Sequence, residues 1–371
     1  MAELKQLTVA CMCGAASHNF SAPVSSLPLP THLCSCDISR RISGSLLTSY
    51  VDITHGLDAL KPHLSALTPY RSSDILTRHF CSTCGTQMYL EYSHDGHFEA
   101  ATGTLQIDSS DDVVDYKAHI WTGATPDGGA SHFITHVNGN QLQRYLQEPG
   151  ENEEASPDSP STTIYSNETD RAPIHAHCHC KGVQFYIHPP NEASRTAESP
   201  FPDLLVPYHT GSSANPQNCP WWLAKSDRYL AGTCACTTCR KASGFDITFW
   251  AFIPTVNITL DAADREPFTR KKYWGSIKTY RSSSTVTRAF CGVCGANVFW
   301  DGDERPSIVD VAVGLLDARS GARAEEVLAW WPDRVSFEED ALNTGLIMGL
   351  RDGLKNWAGK ASQDEKDALI E

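Results

Sequence analysis

Two 16-residue segments of this chain match each other without a gap, and each ends in a pair of cysteines separated by two residues. Tyr70–Gly85 and Tyr280–Gly295 are identical at ten of 16 positions. Upstream of them, Cys34–Gly44 aligns in the same way with Cys234–Gly244. A solenoid would repeat roughly every 20 to 50 residues, so this pattern indicates a duplicated domain instead. The chain is therefore expected to fold as two copies of one unit.

The 14 cysteines are grouped, and the groups occur in the same order in both copies. Each copy opens with a Cys-x-Cys pair, continues with an inner cluster and closes with a Cys-x-x-Cys pair. The groups are Cys11 and Cys13, Cys34 and Cys36, and Cys81 and Cys84 in copy one, and Cys178 and Cys180, then Cys234, Cys236 and Cys239, then Cys291 and Cys294 in copy two. Close pairs suit metal ions better than disulfides, which normally join distant segments. Cys219 stands outside the pattern.

The first and last pairs of each copy together provide four thiolates, as a structural zinc site requires. These outer clusters are Cys11, Cys13, Cys81 and Cys84 in copy one, and Cys178, Cys180, Cys291 and Cys294 in copy two. Gly85 and Gly295 follow the second pairs and permit the positive φ that a chain needs as it wraps a metal. A closed four-thiolate site is structural, and its binding energy contributes to folding. Buried free cysteines are the alternative, but they leave the paired spacing unexplained.

The inner cluster of copy two offers three thiolates at Cys-x-Cys-x-x-Cys spacing. Cys234, Cys236 and Cys239 fill three positions of a tetrahedral zinc ion and leave the fourth to water or substrate, as in catalytic sites. A thiol bound there has a lowered pKa and is nucleophilic at neutral pH. The alternative is a closed site, completed by a distant His or Asp or by Cys219.

In copy one, Ser39 replaces the third cysteine of the inner cluster, and serine is a poor zinc ligand. Cys34 and Cys36 could recruit His32 or Asp37, although no spacing rule favours either. They could instead act as a redox-active pair. We expect copy one to keep its fold and to be catalytically inactive.

Cations and a hydroxyl group follow the inner cluster of copy two. Arg240 and Lys241 are candidates to bind ligand carboxylates, and Ser243 is a candidate hydrogen-bond donor to a substrate. A surface or turn position is the alternative for each of them. Arg288 corresponds to Arg78 in copy one, and we interpret it as structural.

The local pattern is that of a β protein, with short runs of β-branched and aromatic residues. The predicted strands are Val183–Ile187, Ile247–Ile253, Ala296–Trp300 and Ile308–Val313 in copy two, and Leu46–Ile53, Gln87–Tyr92 and Phe98–Leu105 in copy one. Only the tail has a helical pattern, with leucines at every fourth position from Leu342 to Leu354. Three glycines among them weaken that helix.

Composition also indicates the domain organisation. Residues 148–172 are acidic and rich in Pro and Ser, which is typical of a linker that cannot bury a core. We predict one domain at residues 1–147, a second at 173–336 and a helical tail at 337–371. Copy two carries an insertion at Pro189–Thr233, which is interpreted as a lid or pocket wall, or as surface decoration.

Charge and hydropathy exclude some classes of function. The net charge of −14 argues against a sequence-independent nucleic-acid binder, because such a protein needs a basic surface. The first residues lead into no apolar stretch, and no run approaches the length of a membrane span. Grouped cysteines then predict a reducing, cytoplasmic location, with the nucleus not excluded.

Taken together, the motifs resemble one known family. A Cys-x-Cys pair, then Cys-x-Cys-x-x-Cys followed by Arg-Lys-x-Ser-Gly, then Arg-x-Phe-Cys-x-x-Cys-Gly is similar to the glutathione-dependent formaldehyde-activating enzymes, also called the CENP-V/GFA family. The likeness covers copy two from Cys178 to about Trp331. Copy one, from Cys11 to about Trp121, matches in the same order but lacks the third inner cysteine.

The resemblance implies a mainly β protein made of two tandem zinc-stabilised β-tent domains. It implies zinc as cofactor, with structural ligands at Cys178, Cys180, Cys291 and Cys294 and catalytic ligands at Cys234, Cys236 and Cys239. It also implies a carbon–sulfur lyase that forms or cleaves the hemithioacetal of glutathione and an aldehyde, formaldehyde in the family's case. Glutathione or a glutathione adduct would be the substrate. The alternative is a non-catalytic, zinc-stabilised protein-binding module.

Overall fold

A computed structural model describes residues 3–53, 60–150, 172–199, 211–213, 215–223, 227–263, 266–270 and 272–367, with side chains of the last helix described to residue 360. Most of the predicted linker, at 151–171, and part of the insertion lie outside the described residues. The domain boundaries given above remain a prediction.

Copy one is built mainly from short strands. They are β1 Leu4–Ala10, β2 Ser17–Pro23, β3 Leu29–Cys34, β4 Tyr50–Asp52, β5 Leu67–Arg71, β6 Leu76–Cys81, β7 Gln87–Tyr92, β8 Phe98–Ala101, β9 Val114–Ile120, β10 His136–Val137, β11 Asn140–Gln141 and β12 Gln143–Arg144. An antiparallel sheet has the order β4-β8-β7-β6-β5, and a second sheet joins β12, β9 and β3 in parallel. Two hairpins, β1-β2 and β10-β11, complete this half.

Copy two uses the corresponding strands but joins them into a larger sheet. Its strands are β13 Ile174–His177, β14 Gln184–Ile187, β15 Tyr229–Cys234, β16 Thr248–Pro254, β17 Ile258–Thr259, β18 Ile277–Arg281, β19 Val286–Cys291, β20 Asn297–Gly302, β21 Ile308–Ala312, β22 Leu316–Asp317 and β23 Leu328–Ser336. Seven of them form one sheet in the order β18-β19-β20-β21-β16-β15-β23. A smaller sheet has the order β17-β14-β13-β22.

Four α-helices accompany the sheets in the described residues: α1 Asp37–Ser43, α2 Glu192–Thr196, α3 Thr237–Ser243 and α4 Thr344–Asp367. The inner cysteines determine where α1 and α3 begin, because the sulfurs of Cys36 and Cys236 cap the two N-termini. Gly44 and Gly244 end these helices with φ of 72° and 77°, as expected for a left-handed C-terminal cap.

The prediction of a mainly β fold with a C-terminal helix is confirmed. The prediction that only the tail is helical is wrong, because α1 and α3 depend on end caps and show no long apolar periodicity. Two predicted strands are shorter than expected. Leu46–Ile53 forms a strand only at Tyr50–Asp52, and Phe98–Leu105 stops at Ala101 because Thr102–Thr104 turns to contact the other copy.

The two copies pack on each other through reciprocal contacts. The Gly103 N–H donates to Gly244 O (3.1 Å), and the Gly314 N–H donates to Gly44 O (2.9 Å). These glycines occupy corresponding positions in the two copies. When each of two copies uses the same residue to contact the other, the copies are related by a two-fold axis. The two copies within this chain are therefore arranged like the subunits of a symmetric dimer.

Glycine is required where the copies approach most closely. A Cβ on Gly85 would lie 2.4 Å from Phe290 Cγ, and a Cβ on Gly295 would lie 2.4 Å from Phe80 Cγ. Both glycines have positive φ, 77° and 74°, as predicted from their place after the cysteine pairs. The sequence did not indicate that each of these glycines also packs against a phenylalanine of the other copy.

A buried ion pair adds a second contact between the copies. Arg323 is fully buried, and its backbone N–H donates to Asp127 Oδ2 (2.7 Å) while its guanidinium donates to the carbonyl oxygens of Asp127 and Gly129. Burial alone raises the pKa of Asp127, but the charge of Arg323 and hydrogen bonds to the carboxylate outweigh it, so the pKa is lowered. Removing Arg323 would leave the Asp127 carboxylate as a buried charge without its cation, which is strongly destabilising. Removing Asp127 would cost less, because Glu325 also pairs with Arg323.

The last helix, α4, returns to copy one and packs there along its glycines. Its N-terminus is held by Asp111, which accepts from Thr344 Oγ1 (2.7 Å) and from the Gly345 N–H (3.3 Å). A Cβ on Gly349 would lie 1.9 Å from His136 O, and one on Gly353 would lie 2.0 Å from Phe133 O. The glycines that lower helix propensity therefore let the helix approach the backbone of copy one.

We expect Gly349→Ala to destabilise the chain by roughly 1 to 3 kcal/mol, because the new methyl group overlaps the His136 carbonyl. The matched control is Gly359→Ala in the same helix, where a Cβ meets nothing within 4 Å. The control should be neutral or stabilising by up to about 1 kcal/mol, since alanine favours helix. Urea unfolding of both variants measures this, and equal effects would contradict the packing described.

Candidate functional site

The outer cysteine clusters have the geometry of closed tetrahedral sites. In copy one, Cys13 Sγ lies 3.5 Å from Cys11 Sγ and 3.6 Å from Cys81 Sγ. In copy two, Cys180 Sγ lies 3.5 Å from both Cys178 Sγ and Cys291 Sγ. A zinc ion with bonds of about 2.3 Å to sulfur places tetrahedral thiolates about 3.8 Å apart. The residues present therefore fit such an ion in both copies.

Backbone and hydroxyl donors point at these sulfurs, as expected for thiolates. The Ala16 N–H lies 3.2 Å from Cys11 Sγ, and the Val183 N–H lies 3.4 Å from Cys178 Sγ. Ser276 Oγ lies 3.0 Å from Cys291 Sγ. Hydrogen bonds to the charged form of a thiol favour that form.

The inner cluster of copy two lies where strand β15 meets helix α3. Cys234 ends the strand, Cys236 caps the helix, and Cys239 lies in its first turn. The three sulfurs lie within 4.8 Å of one another, and among the described residues no His, Asp, Glu or fourth Cys joins them. Cys219 is not brought to the cluster, since its Sγ contacts Gln217 instead. Three donors with no fourth fit a metal that keeps an open position.

Arg288 supplies a positive charge to this cluster. It is buried, and its Nη2 donates to Cys239 Sγ (3.4 Å) and to Thr238 Oγ1 (2.9 Å). Burial opposes the charge on the guanidinium, but the sulfurs outweigh it, so the pKa of Arg288 is raised. Hydrogen bonds from Cys234 and Cys239 lower the pKa of the Cys236 thiol, and Arg288 lowers it further. The interpretation of Arg288 from sequence as structural did not include this contact.

A pocket of about 440 Å³ opens over the inner cluster, and aromatic side chains form much of its wall. Its aromatic lining consists of Trp250, Phe252, Trp300, Trp331 and Phe337. Its charged lining consists of Arg288, Glu304, Arg305, Asp310, Arg334 and Asp340. A largely apolar cleft with a few polar groups is the usual form of a small-molecule site.

Arg305 is held in this wall by charge and by aromatic faces. Its guanidinium lies 2.9 Å from Asp310 and 4.5 Å from the Trp300 ring centroid. Trp221, from the insertion, packs on Phe252 with centroids 5.3 Å apart. The insertion thus supports the pocket wall from behind through Trp221, in keeping with the wall role considered from sequence.

The comparison with family models finds the glutathione-dependent formaldehyde-activating enzyme family at residues 6–124 and again at 224–333, more than half of the chain. The chain belongs to this family. Its match in two regions agrees with the tandem duplication. Among curated proteins the comparison found no significant relative.

One solved structure has a weak structural similarity to this chain. It is the crystal structure of a Rhodobacter sphaeroides protein from a structural genomics programme, 15% identical over 42% of this chain and 99% of that chain, with a TM-score of 0.24. This likeness is too weak to inform the fold. Within the described residues, no helix is long and apolar enough to cross a membrane.

The inner cluster of copy one keeps the same scaffold without the third sulfur. Ser39 Oγ lies 3.2 Å from Cys36 Sγ and 3.6 Å from Cys34 Sγ, in the place that Cys239 occupies in copy two. Arg78 donates to Ser39 Oγ (3.2 Å) and to Tyr50 Oη (3.1 Å), as Arg288 does to its cluster. The hydrogen bond from Cys34 lowers the pKa of Cys36 to about 6, with help from Arg78. Neither His32 nor Asp37 joins the pair as a ligand within the described residues.

The structure does not bring Arg240, Lys241 or Ser243 to the pocket. Arg240 Nη1 donates to Gly103 O (2.7 Å), and Lys241 Nζ donates to Gln106 Oε1 (3.1 Å), both in copy one. Ser243 Oγ is fully buried and bonds backbone carbonyls around the end of α3. These contacts join the two copies and fix the end of the helix. A direct contact of Arg240, Lys241 or Ser243 with substrate is untested and stays a prediction.

Sequence reasoning missed the residues that form the pocket walls. Trp250 and Phe252 lie in a predicted strand at alternate positions, so they point to one face. That alternation, beginning 11 residues after Cys239, was the available signal. Arg305 and Arg334 gave no signal, because only the folded sheet brings them to the cluster.

We expect the chain, purified without added metal and dialysed against a weak chelator, to hold three zinc ions. Cys239→Ser should lower the count to two by removing one of three inner ligands. Ser39→Cys should raise it to four, since its sulfur would lie beside Cys34 and Cys36. Elemental mass spectrometry measures the count, with Cys219→Ser as the unchanged control. Two zinc ions in the unmodified chain would show that the inner cluster holds none.

Proposed function

We propose that this chain is a zinc-dependent carbon–sulfur lyase that forms or cleaves the hemithioacetal of glutathione and an aldehyde. The observation that supports it is the three-thiolate cluster of copy two, which lacks a fourth ligand and opens into a pocket. Family membership supports glutathione as the thiol. A cytoplasmic location is part of this proposal, because no disulfide joins any of the 14 cysteines, all of which lie in the described part of the chain.

Cys234, Cys236 and Cys239 would hold the metal, and Arg288 would stabilise their negative charge. A zinc ion bound there would supply a position for the glutathione thiol and lower its pKa. The protein's own part is to exclude water and to position the two reactants. The aromatic walls at Trp250 and Phe252 are suited to do so, because both side chains are buried and line the pocket.

Addition of the thiolate to the aldehyde forms one carbon–sulfur bond, and the aldehyde oxygen takes up one proton. In the reverse direction the hydroxyl loses that proton as the bond breaks. We assign the proton exchange to Glu304 or Asp340, which line the pocket, because Asp310 is paired with Arg305. Arg334, which also lines the pocket, is the cation that we assign to a glutathione carboxylate.

We expect Cys239→Ser to lower the kcat/KM for hemithioacetal turnover by roughly 100-fold or more, since loss of a ligand exceeds the usual effect of removing an outer contact. The fold should persist, because both outer clusters are intact. Cys219→Ser is the matched control, since its sulfur lies away from the cluster, and it should keep full activity.

The assay follows the formation or loss of the hemithioacetal of glutathione and formaldehyde by NMR exchange spectroscopy. Circular dichroism checks the fold. Full activity in Cys239→Ser would contradict the assignment of the inner cluster as the catalytic metal site. A protein-binding module would show no turnover in the unmodified chain either.

A further inference from the structure

A third kind of metal-ligating cluster lies outside the cysteine sites, on the smaller sheet of copy two. His175, His177 and Asp317 bring one ligand atom each within 4.8 Å of one another. None of the three lies in a sequence motif described above. None of them belongs to the pocket or to a cysteine cluster.

The strand register explains why these side chains meet. His175 and His177 are two residues apart on β13, so both point to the same face of the sheet. Asp317 on β22 lies directly opposite His175 in the antiparallel ladder. Opposed residues have Cβ atoms about 5 Å apart, and the two imidazole centroids are 4.9 Å apart. The backbone thus places two imidazoles and a carboxylate around one point.

The hydrogen bonds of the two rings leave nitrogen lone pairs available. His177 Nδ1 lies 3.0 Å from Cys178 O, and a carbonyl only accepts, so Nδ1 carries the proton and Nε2 keeps its lone pair. His175 stacks on Tyr186 with centroids 4.9 Å apart, and its Nε2 is buried without a hydrogen-bond partner. A buried polar atom without a partner is uncommon in folded proteins, and a ligand is one way to satisfy it.

Asp317 is shared with copy one. Its Oδ1 accepts from Arg41 Nη2 (3.0 Å), which leaves the second oxygen for another ligand. The guanidinium weakens the attraction of this carboxylate for a cation. Asp37 offsets part of that effect, since its Oδ1 also accepts from Arg41 (3.2 Å).

We propose that His175, His177 and Asp317 form a further site for a divalent metal ion such as Zn²⁺, Co²⁺ or Ni²⁺. Two imidazoles and a carboxylate are ligands that these ions accept, with positions left over for water. Unlike the cysteine clusters, this site contains no sulfur. Because Asp317 also bonds Arg41, a metal here binds at the junction of the two copies.

Cobalt titration of the full-length chain tests the proposal. The chain is first dialysed against the weak chelator, which keeps the ions in the cysteine clusters, and Co²⁺ is then added. We expect one equivalent to bind with visible absorption bands and without the near-ultraviolet sulfur-to-metal band that a thiolate site gives. His175→Ala and Asp317→Asn should each remove that signal. Asp317 is largely exposed and asparagine has its shape, so the second variant is expected to fold.

The chain contains a matched control. His94, Asp95 and His97 also lie within 4.8 Å of one another, but they occupy a more exposed turn where Asp95 already binds both histidines. His97→Ala should leave the cobalt signal unchanged. The proposal is overturned by a chain that shows no sulfur-free signal, by a signal that survives both His175→Ala and Asp317→Asn, or by one that His97→Ala abolishes.

Discussion

Two backbone hydrogen bonds, one donated by Gly103 and one by Gly314, join the copies at a distance that admits no side chain. Their acceptors are Gly44 and Gly244, which end the two short helices. The opposite ends of these helices carry the inner cysteines. The position of the candidate metal centre therefore depends on the contact between copies, and the interface contributes to the site without touching a substrate.

The two inner clusters differ by one atom type on nearly the same scaffold. Arg78 and Arg288 occupy corresponding places, and each donates to the third member of its cluster, which is Ser39 in one copy and Cys239 in the other. A hydroxyl group is a weak ligand for zinc, whereas a thiolate is a strong one. The chemical difference between the two clusters thus follows from one side chain, while the hydrogen bond from the arginine to that side chain is kept.

The grouping of the cysteines in space could be predicted from the sequence, because a metal site requires donors at short, regular spacing and Cys234, Cys236 and Cys239 have that spacing. The contacts of the Arg-Lys-x-Ser-Gly segment could not be predicted from spacing. Arg240 and Lys241 are adjacent to the cluster in sequence, yet their partners lie more than 130 positions away in copy one. Local spacing carries no information on such partners. For the same reason Gly349 was predicted to weaken a helix that it in fact allows to pack.

The reciprocal interface has a consequence for how this protein can vary. In a dimer of identical subunits, a single codon determines the residue at a given position in both halves. A serine in the inner cluster would therefore remove the third thiolate from both clusters. Fusion of the halves gives each cluster its own codon. Ser39 can then stand in one half while Cys239 stands in the other, and the altered half still presents Gly103 and Gly85 to its neighbour. One half can therefore lose its third thiolate and still support the three-thiolate cluster of the other.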